Sequence, residues 1–357
     1  MGAKRQKGMF VYPWDVAEQG AERVAKRIAA AGCNLAAVNC SYHHGRFFHP
    51  QQGTFRQIGQ SAVSFQPDWA KYGRLKPLVH REIAERGVLG EMREQCERSG
   101  VEFAAWWVGL HNSSLGRLHP DLCVLNVWGD RYTFALCPSQ SEVREYVQAL
   151  FRDTLERVRP QRIIVESAAF LPALHGEHHE LVLLHLGPAA QWLLSLCFCD
   201  GCMSAAEARG VDATHTRSVA GRLLRQMIDA DLGPMPEEAH DIAYLLLEYP
   251  ELYDYQQARA DTVASLAKSL ADISRIHRVS FDYIPSSVPF PVNRAMMEGV
   301  SIRRVADDVD RFVPLVYGEI GAVEHGMRTV AAVARQAAIG VALSLHAQFA
   351  PSAASVA

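Results

Sequence analysis

The chain has 357 residues, 49% hydrophobic and 21% charged, with a formal net charge of −3, enough apolar content to bury a sizeable core in one large domain or two average ones. That balance leaves no basic footprint for nucleic acid or an anionic membrane surface. No apolar run approaches the roughly 20 residues a membrane span needs, so neither partner is expected.

The first residues are basic but carry no apolar h-region or small-residue cleavage site, so no signal peptide is read there. Eight cysteines are too sparse for a disulfide scaffold in a chain this long, which favours a reducing, cytoplasmic setting. Met9 to Val16 (MFVYPWDV) reads as the first strand, followed by a helix that stops near Gly32. CNLAAVNC is the second strand and leads into a long loop rich in histidine and aromatics. A helix through REIAERGVLGEMREQCERSG precedes the third strand, VEFAAWWVGL. SEVREYVQALFRDTLERV is an amphipathic helix, capped by Ser139 or Ser141 with acidic Glu142 in its first turn. RIIVES is the fourth strand, and residues 203–275 are almost wholly helical in pattern, a helical insertion that either covers a pocket or forms a dimer face. RVSFDYI, RFVPLVYGEI and AAIGVALSLHAQ complete seven strands.

Nearly all-apolar strands separated by helices spell a parallel sheet covered on both faces. The first turn, YPWDVAEQG, lacks the glycines that cradle a pyrophosphate, which argues against a doubly wound nucleotide fold. The expectation is therefore an α/β protein, a (β/α)8 TIM-type barrel that either has one strand overlooked in this reading or is incomplete at its C-terminus, with residues 1–357 forming a single catalytic domain.

In such barrels the working groups stand at the carboxyl ends of the strands. Those ends offer Tyr12, Trp14 and Asp15; then Tyr42, His43, His44, Arg46 and His49; then Trp106, Trp107, His111 and Asn112; then Glu166. Asp282 and Tyr283 follow on strand five, Tyr317 and Glu319 on strand six, and His346 and Gln348 on strand seven. Adjacent residues of a strand face opposite ways, so one of His43 and His44, and one of Trp106 and Trp107, is expected to turn away. Aromatic faces stack on a sugar ring while carboxylates and imidazoles hold its hydroxyls. Cleavage of a glycosidic bond takes two carboxyl groups. Glu166 is the first, because the preceding Ile163, Ile164 and Val165 promise a rigid and poorly solvated backbone; Asp282 or Glu319 is the second. The structural alternatives are an ion pair for Glu166, a turn former for Asp282, a helix-start acid for Glu319 and an N-cap for Asp15. His175, His178 and His179 belong either to the rim of the same pocket or to a solvated loop.

LCFCDGC holds Cys197, Cys199 and Cys202, three sulfurs that chelate one metal if Cys137, Cys123 or a loop histidine supplies a fourth ligand. A closed site of that kind would be structural zinc, and no organic cofactor is implied. ALCPSQSEVREYVQALFRDTLERVRPQRIIVES resembles the third-to-fourth-strand passage of barrel glycoside hydrolases and their glycosidase-like relatives. CFCDGC resembles the cysteine cluster of zinc-containing β-galactosidases of the same superfamily. Together these cover Ala135 to Asp212 and imply a (β/α)8 fold with Glu166 as a catalytic or sugar-binding carboxylate. The chain departs from those relatives in carrying VES where they more often have Asp or an Asn-Glu pair.

The leading expectation is a glycosidase acting on a small carbohydrate or glycoside, as a monomer or homo-oligomer. One alternative is a metal-dependent hydrolase or lyase with ligands among His43, His44, His49, His111, Glu166 and His175, although no H-x-H or H-E-x-x-H spacing supports it. Another is a non-catalytic sugar-binding barrel.

Overall fold

The computed structural model describes residues 6–49, 52–175, 181–230, 238–287, 292–317 and 320–344. Among the described residues, seven parallel strands form the central sheet: β1 (Gly8–Val11), β2 (Leu35–Tyr42), β3 (Glu102–Val108), β4 (Arg162–Glu166), β5 (Ser280–Tyr283), β6 (Arg311–Phe312) and β7 (Ala338–Ile339). They pair in chain order, each beside the next. All eight residues of β2 are buried, as expected of a strand with helices on one face and other strands' side chains on the other. Residues from both β1 and the segment after β7 line one central hollow, so the sheet curls toward closure, although these edges are not paired among the described residues. The result is a parallel half-barrel of seven strands, consistent with an incomplete TIM-type barrel.

Local chemistry sets several element ends away from their predicted positions. Pro13 opens a helix, Pro13–Gln19, so Trp14 and Asp15 sit on its first turn and not on the strand. Gly20, at φ +85°, divides the single predicted helix before Gly32 into Pro13–Gln19 and Ala21–Ala30. The helix Ser141–Val158 keeps its predicted span and buries Val143, Tyr146, Val147, Leu150, Phe151, Thr154, Leu155 and Val158, the i, i+3, i+4 stripe that faces the sheet.

Between β4 and β5 the chain forms helices Pro188–Leu194, Asp200–Glu207, Ala213–Ala230, Glu238–Glu248 and Pro250–His277. The last of these lies beside Ser141–Val158, with Arg144 donating to the Thr262 carbonyl and Gln148 to Ser269. The others gather around a second apolar cluster containing Trp192, Phe198, Leu224 and Tyr255. No helix among the described residues is long and apolar enough to cross a membrane.

Candidate active site

Glu166 closes β4 and is held by its backbone before its side chain is considered. Gly109 N–H donates to the Glu166 carbonyl at 2.9 Å, and Leu110 N–H donates to Ser167 at 2.8 Å. Ser167 has φ +55°, a left-handed conformation that costs a non-glycine residue about 1–2 kcal/mol, so the chain is bent at some expense directly after the acid. The carboxyl group faces the interior of the half-barrel, where Trp106 Nε1 donates to it at 2.6 Å. Burial pushes its pKa up to about 7; the indole hydrogen bond opposes the rise and the nearby negative Glu298 adds to it.

Around this acid lies a cavity of about 880 Å³, within the range of small-molecule sites. Phe10, Tyr12, Tyr42, Trp106 and Tyr317 supply aromatic walls, with Ile284 and Ser287 from the segment after β5. The Tyr12 and Tyr42 hydroxyls are 3.1 Å apart, and Trp106 lies 5.2 Å from Tyr42, edge to face. Both tyrosines and Tyr317 feel the Glu166 charge, which, after burial, helps to raise their pKa values.

Beside this wall runs a column of imidazoles. His43 stacks on Tyr42 and on His111, each at 4.2 Å, and His175 approaches His111 at 5.5 Å; His44 meets His43 edge to face. Burial lowers the His43 pKa to about 4 and that of His111 well below its usual value, so both rings are neutral at pH 7. Among the described residues, His111 Nε2 has no hydrogen-bond partner.

Other expected site residues lie elsewhere. Asp282 is two residues, one layer, below the level of Glu166, and its carboxylate is bound by Arg162 at 2.7 Å and Arg311 at 3.4 Å. Arg162 also binds Glu102, and Arg311 reaches Gln6, so Asp282 belongs to an ion-pair network at the amino-terminal floor and not to the mouth. Trp107 points outward, fully buried against Phe151 at 5.4 Å, where a sugar cannot reach it. Tyr283 is likewise in the core, between Phe281 and Phe312, with its hydroxyl donating to the Ala168 carbonyl. One of the two tryptophans is expected to turn away, and strand alternation, which turns every second side chain toward the helices, selects Trp107; the same alternation takes Tyr283 out of the mouth.

Asp15 does not line the central cavity. It accepts a hydrogen bond from His49 Nε2 at 3.1 Å, and with the Glu18–Arg56 ion pair it fastens the hairpin Gly45–His49 and Thr54–Ile58 to the helix Pro13–Gln19. Asn112 caps a short helix by accepting from Leu115 N–H, and Arg46 lies over the Phe55 ring. Glu319, His346, Gln348, His178 and His179 fall outside the described residues.

One residue with no signature in the sequence stands close to the acid. Glu298, in the 3-10 turn Val292–Glu298, is 1% exposed, and its two carboxylate oxygens accept from Ser286 and Ser287. In MMEGV it reads as an ordinary acid at a helix end.

Cys197, Cys199 and Cys202 converge with Cys137, all four buried, with Cys137 Sγ at 3.7, 3.5 and 3.5 Å from the other three sulfurs. A metal about 2.3 Å from each of four tetrahedral sulfurs sets their separations near 3.8 Å, so this group could bind a metal ion. Leu125 N–H points at Cys197 Sγ and Ser139 Oγ contacts Cys202 Sγ, the outer contacts that steady thiolates. Cys123 is not the fourth ligand; its sulfur is directed at the Gly116 and His119 carbonyls.

No protein-family model matches the chain, and no curated protein matches it by sequence. Among solved structures, the glycoside hydrolase domain of PgaB (BpsB) from Bordetella bronchiseptica aligns over 93% of this chain and 81% of its own, at 12% identity and a TM-score of 0.53. The β-galactosidase of the psychrophilic Marinomonas ef1 aligns over 87% of the chain at 14% identity and a TM-score of 0.48, and the chain spans only 40% of that protein's length. The α-L-fucosidase isoenzyme 2 of Paenibacillus thiaminolyticus gives 11% identity and 0.48, with 35% of its length spanned. At 12% identity the likeness to the PgaB domain concerns fold alone: the chain shares its barrel-type α/β architecture.

Proposed function

We propose that the protein is a glycosidase that cleaves an O-glycosidic bond of a small carbohydrate or glycoside, with Glu166 as the proton donor. The observation that carries this reading is a half-buried carboxyl group at a strand end, its pKa pushed up to about 7, in an aromatic-walled cavity large enough for a sugar. A group with a pKa of about 7 is still substantially protonated at neutral pH yet acidic enough to release its proton to a leaving oxygen. Trp106 Nε1 then stabilises the carboxylate left behind and fixes its orientation. Phe10, Tyr12, Tyr42 and Tyr317 are the surfaces on which a pyranose would stack, with the paired hydroxyls of Tyr12 and Tyr42 available to its own. Glu319, two positions after Tyr317 in the chain, is the acid we assign as its partner, acting as nucleophile or as base toward water. Cys137, Cys197, Cys199 and Cys202 are assigned to a structural zinc ion: an all-sulfur sphere leaves no position for substrate.

The test is turnover of a panel of activated aryl glycosides. Replacing Glu166 by Gln keeps the shape and removes the proton, and is expected to lower kcat about 10²–10⁴-fold. An unaffected variant ends the assignment. Binding of oligosaccharide without turnover in the wild type favours a sugar-binding barrel. A second reading, a metal-dependent hydrolase, draws on the neutral His43, His111 and His175 column; metal bound through imidazole nitrogen, seen by X-ray absorption, would favour it.

A further inference from the structure

We infer that Phe47 is a positioning residue for the ligand wall: carried on the hairpin Gly45–His49 and Thr54–Ile58, it braces Tyr12 and Tyr42 from outside the cavity and so holds both rings against Trp106. The inference deepens the glycosidase reading and rests on it for its purpose, though not for its first test.

Strand alternation gives the hairpin two faces. Phe48 and Phe55 pair on the outer one, 5.2 Å apart and more than half exposed, with Arg46 over the Phe55 ring. The inner face carries Phe47, His49, Arg56 and Ile58, all at least partly buried. Phe47 lies 5.1 Å from Tyr12, 5.8 Å from Trp14 and 5.9 Å from Tyr42, centroid to centroid. Tyr12 and Tyr42 in turn meet the Trp106 ring at 5.3 and 5.2 Å. Phe47 does not itself line the cavity, whereas Tyr12, Tyr42 and Trp106 all do. The path from Phe47 to the indole therefore runs through the two tyrosines, and edge-on or tilted ring contacts of this kind restrict the rings that make them.

A two-stranded hairpin has little stability of its own, so its seat must come from elsewhere. His49 Nε2 is 3.1 Å from Asp15 Oδ1, Gln52 donates to Glu18 at 2.7 Å, and Arg56 pairs with Glu18. Asp15 and Glu18 share one face of the helix that begins directly after Tyr12. Trp14, on the same helix, stacks on Tyr12 at 4.6 Å. Helix, hairpin and Tyr12 are thus held as one unit. Gly45 supplies the last part: a Cβ there would lie 2.9 Å from the Phe47 ring, so a side chain at this position would displace it.

The Trp106 indole N–H, which donates to Glu166, reports the wall without substrate. Its resonance in a nitrogen-15 correlation spectrum is the one lost in Trp106→Phe. Phe47→Ala is expected to shift or split that resonance. Phe47→Tyr, which keeps the ring, should leave it in place. Gly45→Ala, which keeps Phe47 but displaces its ring, should move it by a smaller amount. The Trp192 indole N–H, bonded to Gln256 in the second apolar cluster, should stay fixed throughout. The inference is overturned if the Trp106 resonance stays in place in Phe47→Ala, if Phe47→Tyr moves it as far, or if Trp192 moves with it. Should Phe47→Ala fail to fold, Gly45→Ala decides by the same criterion. With an aryl glycoside that the wild type turns over, Phe47→Ala should raise KM about fivefold and lower kcat by a smaller factor. A fall in kcat at unchanged KM overturns the inference. If the resonances behave as stated but no glycoside is cleaved, the hydrolase reading fails alone.

Discussion

Two acids on the inner face of the same sheet, one buried and one half-buried, have opposite company. Asp282, at the floor, is clasped by Arg162 and Arg311; Glu166, above it, has an indole N–H and a second carboxylate. Burial raises both pKa values and a hydrogen-bond donor opposes it in each case: the guanidinium groups pull Asp282 back, to about 6, while at Glu166 the Trp106 indole pulls down and Glu298 adds a smaller push, to about 7. A strand-borne acid is therefore committed to structure or to chemistry by its neighbours and not by its position along a strand. The floor acid joins β3, β4, β5 and β6 through one network, and the mouth acid is the one proposed to give a proton.

The comparison breaks most visibly if the floor acid is removed. Asp282→Ala leaves Arg162 and Arg311 without their shared partner, and loss of one member of a buried pair costs about 3–5 kcal/mol. Denaturant unfolding should show that loss, while the folded fraction keeps its kcat; a selective fall in kcat would return Asp282 to the site. Next in size is the sulfur cluster. Cys137→Ser, or removal of metal with a strong chelator, should release about one zinc per chain and lower the unfolding midpoint, by about 2–3 kcal/mol if the free metal stood at about 100 times its Kd. Absence of bound metal by elemental analysis would end that assignment.

The pH dependence separates the acids further. Glu166 has a folded-state pKa above its unfolded value, so the native state binds the extra proton, and that contribution is full below about 4.5 and lost as pH rises through about 7. Glu166→Gln cannot ionise. Its stability relative to wild type should therefore grow between pH 4.5 and 7 and level off above, by about 2–3 kcal/mol. A stability difference that is the same at pH 4.5 and at pH 8 would show that Glu166 is not raised. The smallest effect concerns Ser167. Glycine tolerates φ +55° freely, so Ser167→Gly should stabilise by about 1 kcal/mol or less, and a destabilisation would show that the bend carries no strain.

Much of this arrangement could be read before any coordinates. The buried run of β2 and the apolar stripe of Ser141–Val158 encode sheet and helix by local pattern, and Glu166 is announced by the three β-branched residues before it. Asp282 was misplaced because its strand gives no sign of Arg162, 120 positions earlier, whose guanidinium claims it. Trp107 and Tyr283 fell to the uncertainty of which alternate side chain faces inward. Cys137 could be named only as one candidate, since it joins the other sulfurs from 60 or more positions away. Glu298 was invisible: nothing in its neighbourhood marks an acid that tertiary structure encloses with two serines.

The peptide bonds that grip Glu166 and Ser167 from Gly109 and Leu110 have a wider consequence. Glu166, the proposed proton donor, inherits its aim from the pairing of two neighbouring strands, while the hairpin ending at Ile58 and the tyrosines around the opening belong to segments that tolerate change. On the proposed reading, remodelling those segments would alter which ligand is held while leaving untouched the direction from which Glu166 reaches it.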